Sequence, residues 1–226
     1  MVPIITVDGP SGAGKGAVCK SLAEFLHWNL LDSGLLYRIL AFQLISKNID
    51  LNQKDTIIFF AKNLDVCFKS IEGKEIISVF LNNQDVTDEL RSEEVAFSAS
   101  NIARVSEVRE ALLEKQRNFA ELPGLVADGR DMGTVVFSDA PLKIFLTASV
   151  EVRAKRRYKQ LMNMGQNVNL AHLIEVIEAR DNLDAGRSAS PLKPAIDAVT
   201  IDSSSLTIDQ VFELILDLAR NRDLIK

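Results

Sequence analysis

Short apolar runs alternate along this chain with longer stretches of helical period. Residues 4–7 (Ile-Ile-Thr-Val) have the length and character of a buried strand. A helical stretch follows a glycine-rich turn, with Val18, Leu22, Phe25 and Leu26 on one face. Leu30 and Leu31 form the centre of a second short strand that runs into a loop at Asp32-Ser33-Gly34. Residues 35–45 and 52–61 read as helices. From Leu64 the period changes to two: Leu64, Val66 and Phe68 alternate with Asp65, Cys67 and Lys69. Glu72-Gly73 supplies a turn, residues 75–81 are rich in β-formers, and Asn82-Asn83 is a second turn signal. This predicts a small antiparallel unit over about residues 63–88, with too little apolar mass to stand alone.

The alternation then resumes. Residues 92–103 and 106–121 read as helices, the second burying Val108, Leu112, Leu113 and Phe119. After Pro123-Gly124, residues 125–127 form a buried strand, and residues 144–146 form another. Helices are predicted over 150–164 and 170–183, with a proline-bearing loop over 188–194 and a last strand over 199–202. The final helix opens with Thr207-x-x-Gln210, a capping-box spacing, and carries a stripe of Val211, Leu214, Ile215 and Leu218. Five short buried strands alternating with helices imply an α/β fold: a parallel sheet covered on both faces. In such sheets the chemistry gathers at the carboxyl ends of the strands. The polar groups at those ends are residues 8–15, 32–38 and 128–131.

Composition narrows the class. With 226 residues, 47% of them apolar and 25% charged, the chain reads as a soluble globular protein with one sizeable core. A net charge of −5 argues against nucleic-acid or membrane-surface partners. The charge is uneven, however. Residues 130–193 hold ten Lys/Arg against seven Asp/Glu, a net +3, and the remainder carries −8. A basic region in an acidic protein suits a small anionic substrate. Cys19 and Cys67 are too few for a disulfide framework and have no metal-ligand spacing, and His27 and His172 read as structural or surface residues. The first residues pass straight into a strand and no apolar run is of membrane-spanning length, so a cytoplasmic protein is expected.

Asp8-Gly9-Pro10-Ser11-Gly12-Ala13-Gly14-Lys15-Gly16 joins the first strand to the first helix. Gly-x-x-x-x-Gly-Lys in that context is a phosphate-binding loop: glycines let the amides converge on a phosphate, and the helix N-terminus adds its field. Lys15 is placed to reach the β- and γ-phosphates of a nucleotide. The residues after it, Gly16 and Ala17, offer no hydroxyl to Mg2+, which must then be held by water, phosphate oxygens or another side chain. Cations to balance a transferring phosphoryl group are present: Arg153, Arg156 and Arg157 share a helix face, and Arg180 and Arg187 flank a loop holding Asp181 and Asp184. A solvated helix face and a surface ion-pair cluster explain the same residues without function. Arg38 suits the phosphate of a second substrate. In Gly129-Arg130-Asp131-Met132-Gly133, Asp131 is suited to accept from an exocyclic amine such as the N4 amine of cytosine, and Arg130 to serve a ring acceptor or a phosphate. Asp128, at the strand's end, suits indirect support of Mg2+. A kinase for another acceptor, such as UMP or a small hydroxy acid, fits these residues too. So does a nucleotide-driven switch, although its Asn-Lys-x-Asp guanine motif is absent.

Nearly the whole chain resembles the bacterial cytidylate kinases, members of the nucleoside monophosphate kinase group. The resemblance rests on residues 8–16, on Leu31-Asp32-Ser33-Gly34 with Tyr37-Arg38, on residues 127–137, and on Arg180-Asp181 with Arg187. It implies a single domain with a three-layer P-loop kinase fold, sheet order 2-3-1-4-5. It also implies a monophosphate-binding part over about 35–120 that includes the β unit, and a short helical lid over about 150–168. It implies ATP as donor with Mg2+, held by Gly9, Pro10, Ser11, Gly12, Ala13, Gly14, Lys15, Gly16 and Ala17. CMP or dCMP is the implied acceptor. Ser33, Arg38, Arg130 and Arg187 match its phosphate ligands, Ser100, Arg109 and Asp131 its base readers, and Asp184 its sugar contact. Arg153, Arg157 and Arg180 match the arginines that close over the transferred group, in a monomeric enzyme. Two departures stand out. Ala17 replaces a usual Thr, and Leu183 with Ala185-Gly186 makes the loop before Arg187 poorer in arginine, so a lower turnover than usual is expected.

Overall fold

The computed structural model describes residues 2–69, 78–163, 165–186 and 190–225. Its main sheet contains β1 (Ile4–Asp8), β2 (Asn29–Asp32), β6 (Leu125–Gly129), β7 (Leu142–Thr147) and β8 (Val199–Asp202), all parallel, in the order β2-β6-β1-β7-β8. Counted along the core strands alone, this is the expected 2-3-1-4-5.

Both faces of the sheet are apolar, because both are covered. Along β6 the side chains alternate between two cores: Leu125 and Ala127 face one, Val126 the other. The first core lies under α2 (Ser33–Ser46), α3 (Lys54–Lys62), α4 (Glu93–Ile102) and α5 (Ser106–Arg117). The second packs Ile5, Val7, Ile144 and Leu146 against α1 (Lys15–Leu26) and α8 (Ile208–Arg220). On α1, Val18 and Leu22 are fully buried as the pattern predicts. Phe25 is 56% exposed instead, and stands edge-on to Phe212 of α8 at 5.6 Å. α8 buries Val211, Ile215 and Leu216 and leaves Leu214 at the surface, so its stripe sits slightly round from the one expected. Its capping box is present: Gln210 N donates to Thr207 Oγ1 at 3.2 Å and Thr207 N donates to Gln210 Oε1 at 2.9 Å.

Two departures from the expected pattern matter for the site. Asp32-Ser33-Gly34 is not a loop. Asp32 Oδ1 accepts from Leu35 N at 3.0 Å and caps α2, so the helix begins directly at the strand's end. After β6 the chain winds into one π turn over Met132–Val136. The antiparallel unit exists as β3 (Val66–Lys69), β4 (Ser78–Leu81) and β5 (Gln84–Asp85), with Asn82 and Asn83 both at positive φ in a tight hairpin. The expected turn at Glu72-Gly73 and the start of the strand at 75–77 lie outside the described residues. Between β7 and β8, α6 (Val150–Asn163) and α7 (Leu170–Ala185) pack side by side.

The capping-box side chains on α8 are exposed and hydrogen-bond each other rather than the residues of the phosphate loop. Thr207→Ala is therefore expected to cost about 1 kcal/mol in urea unfolding while leaving the steady-state kinetic constants unchanged.

Candidate active site

β1 ends on Asp8, and the chain turns sharply at Gly9. There φ is +146°, and a Cβ would lie 1.9 Å from the Leu146 carbonyl oxygen, so only glycine fits. Gly12 and Gly14 are also left-handed, at +81° and +99°. The loop is braced from outside. The Ser11 carbonyl accepts from Arg153 Nη1 at 3.2 Å, and the Ala13 carbonyl accepts from Arg156 Nη1 at 3.2 Å and from Ser203 Oγ at 2.9 Å. Lys15 opens α1 and is buried. Its Nζ donates to the Pro10 carbonyl at 3.0 Å and lies 3.7 Å from Asp128 Oδ1. Ala17 faces solvent. A Cβ on Gly16 would sit 3.6 Å from Asp128 Oδ2, so the missing hydroxyl would have pointed into ground that Asp128 already holds.

Sheet register sets Asp32 opposite Asp128 and Val7 opposite Asp128, so Asp8, Asp32 and Asp128 end three neighbouring strands. Burial pushes the Asp128 carboxyl up to about 7, against the pull of Lys15. Burial pushes Asp8 up to about 6, opposed by N–H bonds from Gly133 and Met132, and raises Asp32 as well. Burial, with Arg130 nearby, lowers Lys15 to about 8. No group of three or more metal-ligating side chains occurs among the described residues. The donor set nevertheless fits a hydrated Mg2+ that takes most of its ligands from phosphate and water. Asp128 and Asp32 stand behind the loop, and theirs are the carboxyl groups that would orient those waters.

A cleft opens beside this rim, with a volume of about 80 Å3. Ser33, Arg38, Ser100, Arg109, Arg130, Asp131 and Asp184 all line it, and so does Arg180. Arg187 lies outside the described residues. Both carboxylates of the cleft are ion-paired within it. Arg109 is ion-paired with Asp131, and Arg130 Nε donates to Asp184 Oδ2 at 3.2 Å. Arg38 Nη1 donates to the Leu90 carbonyl at 2.7 Å, and burial lowers its guanidinium pKa. Ser33 Oγ donates to Gln116 Oε1 at 2.8 Å.

The remaining arginines are placed differently from one another. Arg153 is buried and spent on structure: its Nε donates to the Ala148 carbonyl at 2.9 Å, and its Nη1 and Nη2 meet Asp181 at 3.1 and 2.5 Å. Arg157 is exposed, donates to Gln160 Oε1 at 2.8 Å, and is near enough to Arg38 to repel it. Several residues given other roles in the sequence, or none, hold the site. Asp8 carries the 132–133 backbone, Gln116 accepts from the Ser33 hydroxyl, and Tyr37 lies under Arg109 with 5.9 Å from guanidinium carbon to ring centre. Arg156 with Ser203 braces the loop, and Asp181 holds Arg153. Gln116 and Ser203 carried no signal in the sequence, whereas Asp8, Tyr37, Arg156 and Asp181 stood in its motifs.

The raised carboxylates make a pH prediction. Asp8 and Asp128 bind a proton more tightly folded than unfolded, where the ordinary value is 3.8. The stability this gives is complete below that value and is lost as pH rises through about 6 and about 7. The lowered Lys15 opposes folding throughout that window and is relieved only above about 8. The thermal midpoint of nucleotide-free protein should thus fall from about pH 5 to about pH 8, and Asp128→Asn should flatten the fall. An unchanged slope in that variant would show that Asp128 does not titrate there.

Comparison with known proteins finds relatives along nearly the whole chain. The family model for cytidylate kinase matches residues 5–221. A cytidylate kinase of Salmonella paratyphi A is 52% identical over 222 residues, covering 98% of this chain and 97% of that one. One from Escherichia coli K12/DH10B is 51% identical over the same shares. Among solved structures, a shikimate kinase from Acinetobacter baumannii in complex with shikimate aligns over 100% of this chain and 97% of its own, with 16% identity and a TM-score of 0.45. No described helix is long and apolar enough to cross a membrane. With a family match over almost its full length and relatives of identical span, the chain belongs to the cytidylate kinase family.

Proposed function

We propose that the protein transfers the γ-phosphoryl group of ATP to CMP or dCMP, giving ADP and CDP or dCDP. One juxtaposition carries the assignment to residues: the Asp131–Arg109 pair lies in the same cleft as Ser33, Arg38 and Arg130, directly beside the Lys15 loop. That cleft thus offers a base-reading end and a phosphate-holding end.

The acceptor's phosphate is held by Ser33, Arg38 and Arg130, with Arg187 joining them. Asp184 meets the sugar hydroxyls. Ser100, Arg109 and Asp131 read the base. Asp131 takes hydrogen bonds from the N4 amine of cytosine. Uracil places a carbonyl there, and two acceptors face to face stay unpaired. Residues 9–17 cradle the ATP phosphates, and Lys15 leaves the Pro10 carbonyl for the β- and γ-phosphates. An oxygen of the CMP phosphate attacks the γ-phosphorus in line, and the bond to the β-phosphate oxygen breaks with ADP leaving. The nucleophile is already an anion, so the residues have only to align it and neutralise charge. When bound, Mg2+ would supply charge neutralisation to the phosphates, with Asp128 behind the loop placed to orient its waters. The stretch over about 150–168, which includes α6, acts as the lid, and its Arg157 closes over the transferring group with Arg180 of α7. Arg153 joins them by exchanging Asp181 for phosphate. The cleft's 80 Å3 is well under the roughly 300–1,000 Å3 of pockets that enclose ligands of this size, so it widens as CMP enters. The same reading makes the enzyme a monomer working in the cytoplasm on free nucleotides.

The decisive measurement is ADP release from ATP and Mg2+ with CMP, dCMP, UMP, AMP or no acceptor. Strong release is expected with CMP and dCMP, and weak release otherwise. Asp131→Ala should lower the CMP-to-UMP ratio of kcat/KM by at least about tenfold. A ratio that does not move would remove base reading from Asp131.

A further inference from the structure

Asp8 lies outside the residues assigned above to either nucleotide. Its backbone is fixed on three sides. The sheet pairs it with Gly129 of β6 and Phe145 of β7, and Gly9 after it is pressed against the Leu146 carbonyl. Its buried side chain crosses to the segment that follows β6. Oδ1 accepts from Met132 N at 2.8 Å and Oδ2 accepts from Gly133 N at 2.7 Å. Those two amides open the π turn, and they come immediately after Asp131.

The packing around the turn leaves little room for movement toward the sheet. A Cβ on Gly133 would lie 2.9 Å from Thr6 Oγ1, and a Cβ on Gly129 would lie 2.6 Å from Met132 Cγ. The turn is therefore flush against β1, and its remaining freedom is outward into the cleft. The two bonds to Asp8 oppose that displacement. Arg109 holds the Asp131 carboxylate from the opposite side.

We propose that Asp8 is a positioning residue for base selection: its carboxylate fixes the Met132–Gly133 backbone, and through it Asp131, relative to the phosphate loop that begins one residue later. The inference rests on the base-reading role proposed for Asp131. A carboxylate is the group the geometry requires, because both of its oxygens accept. An amide at this position would satisfy one N–H and set its own NH2 against the other. The base-reading end and the ATP loop thus take their reference from a single residue.

The test is steady-state kinetics of Asp8→Asn, Asp131→Asn and the double variant, with CMP and UMP as acceptors and ATP varied. Asp8→Asn should raise KM for CMP and lower the CMP-to-UMP ratio of kcat/KM by about tenfold or more, because a small misplacement of a binding group is costly. KM for ATP should stay within about twofold, where general damage to the loop would raise it. In the double variant the ratio should fall no further than in Asp131→Asn alone, the mark of two residues acting through one. An unchanged ratio in Asp8→Asn, a parallel rise in KM for ATP, or additive losses would overturn the proposal. If Asp131→Asn itself leaves the ratio unchanged, base reading fails and this inference fails with it; a fall there but not in Asp8→Asn sinks this inference alone. Should Asp8→Asn not fold, Asp8→Glu takes its place. It keeps both acceptors but pushes the turn outward by one methylene, so the same selective loss toward CMP is expected, and wild-type selectivity would count against the idea.

Discussion

Asp8, Asp32 and Asp128 stand at the carboxyl ends of three adjacent strands, two of them buried and Asp32 half-buried, and gathering carboxylates at one rim is costly unless each finds a donor. Each finds a different one, and each answer builds a piece of the site. Asp8 takes two backbone amides and so shapes the turn after β6. Asp32 takes the Leu35 amide and so starts α2 at the strand's end, which brings Ser33 and Arg38 to the cleft. Asp128 takes the Lys15 ammonium at 3.7 Å and so holds the first residue of α1 over the rim. The parallel register that sets these residues side by side comes from apolar strands buried on both faces.

The phosphate loop depends on a second set of contacts from distant parts of the chain. Arg153 and Arg156 on α6 and Ser203 after β8 bind its carbonyls from below. A loop with three glycines at positive φ would otherwise sample many shapes. Turning its carbonyls toward the protein commits its amides to the opposite side, the side on which a phosphate must lie. Arg153 also grips Asp181 on α7, so the loop and the two outer helices share one guanidinium.

Most of this was readable from sequence for physical reasons. The strands were legible because burial on both faces leaves unbroken apolar runs, as in residues 4–7 and 125–127. The phosphate loop was legible because its glycines cannot be replaced: Gly9 has no space for a Cβ. The start of α2 was misread because Asp-Ser-Gly suits a loop as well as a cap, and only the position of Leu35 N decides between them. Leu214 was assigned to the α8 stripe although Leu216 is the residue that docks, a distinction that depends on how α8 rolls against the sheet. The cleft residues carried over by resemblance do gather in one place. Two supporting contacts, Gln116 with Ser33 and Asp181 with Arg153, were not legible because they span 83 and 28 residues of chain, a separation that no local pattern encodes.

The ion pairs Arg109–Asp131 and Arg130–Asp184 occupy both carboxylates of the cleft. On the proposed roles, a ligand that enters competes with an incumbent at each end. A bare phosphate can contest Arg130 but has nothing for Asp131, and a free cytosine has the converse problem. Only a molecule carrying both ends dislodges both pairs at once, so the two halves of the acceptor are counted together. Resident competitors of this kind trade tightness of binding for ease of exit, which favours turnover over retention.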